Sequence, residues 1–94
     1  MASDASPYRV EADWDAYFTE LERCPEPQVG RVSELVADVL PVSPKVTNPP
    51  LLKKLKGPFS HMWQFECGDR RLIYTVDDET MVVTIVYFGL HPNW

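Results

Sequence analysis

Apolar and polar residues alternate with a period of two in Tyr8-Arg9-Val10-Glu11-Ala12, the pattern of a strand with one face buried. From Trp14 the period lengthens. Trp14, Tyr17, Phe18 and Leu21 share one helical face, while Asp15, Glu20 and Glu22 fall mostly elsewhere. Asp13 is placed to cap this helix, because its carboxylate can accept from a free N–H of the first turn. Pro25 disfavours helical geometry in the residue before it, so the helix should end near Cys24. A second helix is expected over 27–40, with Val29, Val32, Leu35, Val36, Val39 and Leu40 on one broad stripe and Pro41 and Pro44 beyond it.

Residues 41–50 hold four of the nine prolines and read as a stiff connector within one domain. Beyond them the period returns to two. Gly68 and Asp69 suit a two-residue hairpin turn, which pairs Cys67 with Arg70, Glu66 with Arg71, Phe65 with Leu72, Gln64 with Ile73 and Trp63 with Tyr74. Paired residues point to the same side. Trp63, Phe65, Leu72, Tyr74 and Val76 should therefore pack on the helices, and Gln64, Glu66, Arg71, Ile73 and Thr75 should face solvent or a ligand. An acidic turn follows at Asp77, Asp78, Glu79 and Thr80. The run from Met81 to Phe88 is apolar nearly throughout, as in a central strand covered on both faces. Pro92 makes continuation beyond it difficult.

The expected fold is α+β: a helical hairpin packed on one face of a small, mainly antiparallel four-stranded sheet, in the order β-α-α-β-β-β. At 94 residues and 45% hydrophobic content the chain suits one compact domain, placed over 8–94 after a flexible N-terminus at 1–7. The N-terminus has no signal-peptide pattern and no apolar run approaches the ~20 residues that span a bilayer, so a cytoplasmic protein without a membrane partner is expected. Cys24 and Cys67 lack metal-ligand spacing and read as reduced, wholly or partly buried thiols. The net charge of −5 is unevenly spread. Residues 1–44 set three arginines against nine carboxylates, whereas residues 45–94 set six bases against five acids. A local basic surface is thus possible in the second half, although the whole molecule repels a polyanion at long range.

Glu66, Arg71 and His91 form the constellation with chemical content. Cleaving RNA by transfer to its own 2′-oxygen needs a base for that hydroxyl, a cation for the charge on the phosphorane and an acid for the departing 5′-oxygen. A carboxylate, a guanidinium and an imidazole can fill these roles, with no metal or cofactor. Each also has a plainer explanation. Glu66 and Arg71 are opposed across two strands and could be a surface ion pair. His91, beside Pro92, could simply pack. Lys53, Lys54 and Lys56 could contact phosphate, or keep a loop soluble and blunt a sheet edge. Arg70 joins them as a candidate RNA contact, and Trp94 could stack on a base or cover the sheet.

The order of parts in residues 51–94 carries a resemblance. Leu55-Lys56-Gly57 before a strand, the Gly68-Asp69 turn, Arg71-Leu72-Ile73-Tyr74, an acidic turn, an apolar strand and a closing Gly89-Leu90-His91 resemble the RelE/ParE superfamily of type II toxin-antitoxin toxins. The resemblance runs from Tyr8 to Trp94. It implies a RelE-like fold, Arg71 in an active site, and His91 with Trp94 as a reduced version of the basic, aromatic ending of many members. Where RelE-like ribonucleases often carry basic residues, this chain has Gln64 and Glu66. The implied function is a toxin neutralised by a cognate antitoxin, acting with ribosome and mRNA as an endoribonuclease, or mRNA interferase, that inhibits translation. The other readings are a ParE-like inhibitor of DNA gyrase that cleaves no RNA, and a catalytically degenerate member that retains antitoxin binding.

Overall fold

The computed structural model describes residues 7–45 and 52–91. Strand β1 (Arg9–Glu11) leads into helix α1 (Trp14–Glu22) and helix α2 (Glu26–Glu34). Four more strands follow: β2 (Leu52–Lys54), β3 (Trp63–Cys67), β4 (Arg70–Asp77) and β5 (Val82–Leu90). The expected cap is present, with the Asp13 carboxylate accepting from the Ala16 N–H at 3.2 Å. Pro27 occupies the first turn of α2, where its missing N–H costs nothing. The stripe expected to run to Leu40 does so, but Leu35–Val39 widen into a π-helical turn that closes when the Leu40 N–H donates to the Leu35 carbonyl at 2.9 Å. No helix among the described residues is long and apolar enough to cross a membrane.

The sheet has five strands in the order β1-β5-β4-β3-β2, rather than four. The additional strand, β2, is three residues long and pairs antiparallel with β3, setting Leu52 against Phe65, Lys53 against Gln64 and Lys54 against Trp63. A Leu-Lys-Lys triplet carries too little alternation to announce itself; its partner strand makes it a strand. The sheet is also mixed, because β1 runs parallel to β5 with Val10 beside Val83. All five pairs expected across the Gly68-Asp69 turn are present. Gly68 has φ +63, the left-handed conformation that a two-residue hairpin turn favours in glycine.

The core lies between the helices and one sheet face. Tyr17, Val32, Leu35 and Leu40 meet Leu52, Trp63, Leu72, Tyr74, Val83 and Ile85 there, all buried. Trp63 and Tyr74 stack across the β3–β4 pair with ring centroids 6.4 Å apart. The Tyr74 hydroxyl donates to the Pro44 carbonyl at 2.8 Å, fastening the connector to the sheet. Burial pushes this phenol well above its ordinary pKa, so it remains a donor.

The other face departs from its expected polarity. Ile73 is fully buried and Gln64 nearly so, and this face is therefore not a bare polar surface. Conversely, Val86 and Tyr87 are exposed, which corrects the expectation that the last strand is covered on both sides. A bulge is the cause. Ile73 pairs with Tyr87 and Tyr74 with Ile85, so Val86 is the extra residue and Tyr87 turns to the open face. The strand also begins one residue late, because Met81 sits in the turn with φ 58. The Asp77 carboxylate organises that turn by accepting from the Glu79 and Thr80 N–H groups at 2.9 and 3.3 Å.

Candidate active site on the open sheet face

Arg71 and Glu66 are cross-strand partners on the face away from the helices, with Nη2 of Arg71 3.4 Å from Oε2 of Glu66. The same guanidinium reaches into the hairpin turn. Its Nη1 donates to the carbonyls of Gly68 and Arg70, both at 2.9 Å. These contacts hold the planar group in one orientation, and the Arg71 side chain keeps only 12% of its surface exposed. Its Nε is buried with no hydrogen-bond partner among the described residues. A buried N–H without an acceptor costs about 1–3 kcal/mol.

On its other side Arg71 pairs with Gly89 of β5. The ladder continues one step beyond β5, where the His91 N–H donates to the Asp69 carbonyl at 3.0 Å. Strand alternation then assigns His91 to the face of Arg71, two residues along from Gly89. Glu66, Arg71 and His91 thus occupy neighbouring register positions on three adjacent strand lines, all at the end of the sheet that carries the Gly68-Asp69 turn. The room that Gly89 leaves is taken by Tyr87. A side chain there would meet the Tyr87 hydroxyl at 2.9 Å, and that hydroxyl donates instead to the Leu90 carbonyl at 2.5 Å. Tyr87 itself was missed from sequence. Its ring stands half-exposed on the same face, and only the bulge, invisible in an unbroken apolar run, puts it there.

The candidate RNA contacts separate. Lys53 belongs to the open face, opposite Gln64, whereas Lys54 opposes Trp63 on the helix side. Lys56 is exposed just after β2. Arg70 faces the helices, where its Nε donates to Glu20 Oε2 of α1 at 2.9 Å and its side chain is 11% exposed. This hydrogen bond is the main reason its pKa is raised. Trp94 lies outside the described residues.

Solved structures share this fold. The toxin-antitoxin complex RelBE2 from Mycobacterium tuberculosis matches with 25% identity and a TM-score of 0.64, over 90% of this chain and 99% of that one. The archaeal RelE-RelB complex from Pyrococcus horikoshii matches at 23% identity and a TM-score of 0.70, over 94% and 99% of the respective chains. A YoeB/ParE toxin from Agrobacterium tumefaciens follows at 17% and 0.68, over 89% and 99%. The fold is that of the RelE/ParE toxins. No family model matches the sequence, and no curated protein does. The likeness to the RelE/ParE toxins therefore lies in the backbone.

Proposed function

We propose that this protein is the toxin of a type II toxin-antitoxin system, a cytoplasmic, metal-independent endoribonuclease that cuts mRNA on the ribosome. One observation carries the proposal: in a RelE/ParE fold, a carboxylate, an oriented guanidinium and an imidazole take neighbouring register positions on the open sheet face. In this reading Glu66 accepts the proton of the 2′-hydroxyl as its oxygen attacks the adjacent phosphorus. Arg71 balances the charge that builds on the non-bridging oxygens, and His91 protonates the departing 5′-oxygen. Lys53, Lys56 and Tyr87 would guide the strand across the same face, the lysines by charge and the tyrosine by stacking.

The test maps mRNA 5′ ends in a bacterial host after induction of wild type, Arg71→Ala and His91→Ala. Cuts within translated codons are expected from wild type and should fall by at least ~100-fold in either variant. Full toxicity in both variants would remove the catalytic reading. A second reading rests on Glu66 and the buried Gln64, which stand where RelE-like ribonucleases often carry basic residues. On that reading the protein is ParE-like and inhibits DNA gyrase without cleaving RNA, and it predicts growth arrest with no new 5′ ends. Neither arrest nor cuts would leave a degenerate member that binds only its antitoxin.

The antitoxin should engage the acidic half of the molecule. Phe18, Leu21 and Val29 line a groove rimmed by Glu22 and Glu26 where α1 meets α2, with Phe18 more than half exposed. An antitoxin segment with apolar and basic residues would cover it, and the complex should weaken as salt is raised. Salt-insensitive binding by an acidic segment would contradict this.

A further inference from the structure

Helix α2 reaches the Gly68-Asp69 turn through one residue. Pro25 and Pro27 fix the chain at the start of the helix, and the Gln28 N–H donates to the Pro25 carbonyl at 2.9 Å, so Gln28 projects from a stiff base. It meets the hairpin twice. Its carbonyl accepts from the buried Cys67 thiol at 3.7 Å, and its carboxamide lies against Gly68. A Cβ on Gly68 would stand 2.0 Å from Gln28 Nε2 and 2.8 Å from its Cδ, and the three atoms nearest to that position all belong to Gln28. Both turn residues are otherwise exposed. The Gln28 Oε1 is buried without a hydrogen-bond partner among the described residues, so it is by packing, and not through that oxygen, that the carboxamide acts on the turn.

We propose that Gln28 is a positioning residue for Arg71, acting through the Gly68 carbonyl. That carbonyl accepts from Arg71 Nη1 at 2.9 Å. A solvent-exposed turn is the part of a hairpin that opens most readily, and the carboxamide pressed on Gly68 restrains it from the helix side. Arg71 carries its guanidinium on the opposite face, so a single turn residue transmits the restraint round the end of the sheet. The remaining contacts do not replace it. The Arg70 carbonyl shares Nη1 with Gly68, and the Glu66 carboxylate, 3.4 Å from Nη2, belongs to a partly exposed side chain. Gly68 is thus required to be glycine on two counts, for its φ of +63 and for the room that Gln28 takes. The catalytic side of this role rests on the nuclease reading of Arg71, whereas the hold of Gln28 on the guanidinium does not.

The test takes two readouts on the full chain as wild type, Gln28→Ala, Gln28→Met and Gly68→Asn. The first is solvent exchange of the Arg71 Nε–H in 15N-labelled protein, its resonance assigned by its loss in Arg71→Lys. Gln28→Ala should speed this exchange by at least ~10-fold while the Leu72 backbone amide keeps its rate. Gln28→Met, of similar length and without the orphaned oxygen, should exchange as wild type does. Gly68→Asn, which tolerates a positive φ but collides with the carboxamide, should also speed exchange, and adding Gln28→Ala to it should speed it no further. The second readout is single-turnover cutting of mRNA on purified ribosomes. Gln28→Ala should lower the maximal rate at saturating protein by at least ~10-fold and leave the half-saturating concentration within ~2-fold, and Gln28→Met should restore the rate. Wild-type Arg71 exchange in Gln28→Ala overturns the inference, as does equal acceleration of the Leu72 amide or independent acceleration by the Gln28 and Gly68 changes. Lost affinity with an unchanged maximal rate overturns the positioning role. If wild type itself cuts nothing, the nuclease reading of Arg71 fails, and the exchange rates still decide whether Gln28 holds the guanidinium.

Discussion

Arg70 and Arg71 are consecutive in sequence and opposite in use. Arg70 points to the helices and is committed to Glu20, which joins the β3–β4 hairpin to α1. Arg71 points away from them, held by two turn carbonyls and Glu66, with one buried N–H still lacking an acceptor. Arg70 finds its counter-charge on the helix-covered face, whereas the Arg71 Nε has no acceptor among the described residues. A dipeptide of identical residues is thus divided by the two-residue period of a strand into one group that faces the helices and one that faces the open side.

The sharpest way to break this comparison is to exchange the roles. Arg71→Ala should reduce mRNA cutting by at least ~100-fold while altering unfolding free energy by only about 1 kcal/mol, measured by urea denaturation. Arg70→Ala should do the reverse, costing about 2 kcal/mol in the same denaturation curve, because it removes a charge-assisted hydrogen bond and leaves the partly buried Glu20 carboxylate with only Arg23, at 3.7 Å. If Arg70→Ala spares stability and abolishes cutting, the assignment of faces is wrong.

Two smaller effects sharpen the contrast. Tyr74→Phe, on the covered face, should cost about 1–2 kcal/mol, since the Pro44 carbonyl loses its donor while packing is kept. Met81→Gly, in the turn leading to β5, should raise stability by about 1 kcal/mol, because φ 58 strains any residue with a side chain. The smallest effect concerns pH. The hydrogen bonds from Lys45 and then Tyr8 hold the Asp78 carboxyl below its ordinary pKa. A depressed carboxylate stabilises the fold above its unfolded pKa and loses that contribution as pH falls through the folded value. Wild type should therefore exceed Asp78→Asn in melting temperature at pH 7, with the gap closing below about pH 4.

Much of this was legible in the residues. The two-residue turn at Gly68 and Asp69 leaves one register for the hairpin, and that register places Glu66 against Arg71. The same register sets Arg70 beside Cys67 on the helix side, so its separation from the phosphate contacts was implicit in the pairing. Asp13 declared its cap because the interaction is local. What could not be read depends on partners distant in sequence. β2 is a strand only because β3 offers an edge, and the bulge at Val86 shows only when β5 is laid against β4. The burial of Gln64 and Ile73 likewise follows from tertiary surroundings that alternation does not encode.

The parallel pairing of β1 with β5 has a consequence for synthesis. Arg9 finds Val82 only after about seventy further residues have been made, so β1 emerges long before the strand that completes it. The helices can form as they leave the ribosome, but β5, which lies between β1 and β4, arrives late, together with the ladder step that positions His91. A nascent chain of this protein therefore carries Arg71 before the strand that flanks it on the β5 side. A partner that binds the helices can do so before β4 has gained its second neighbour.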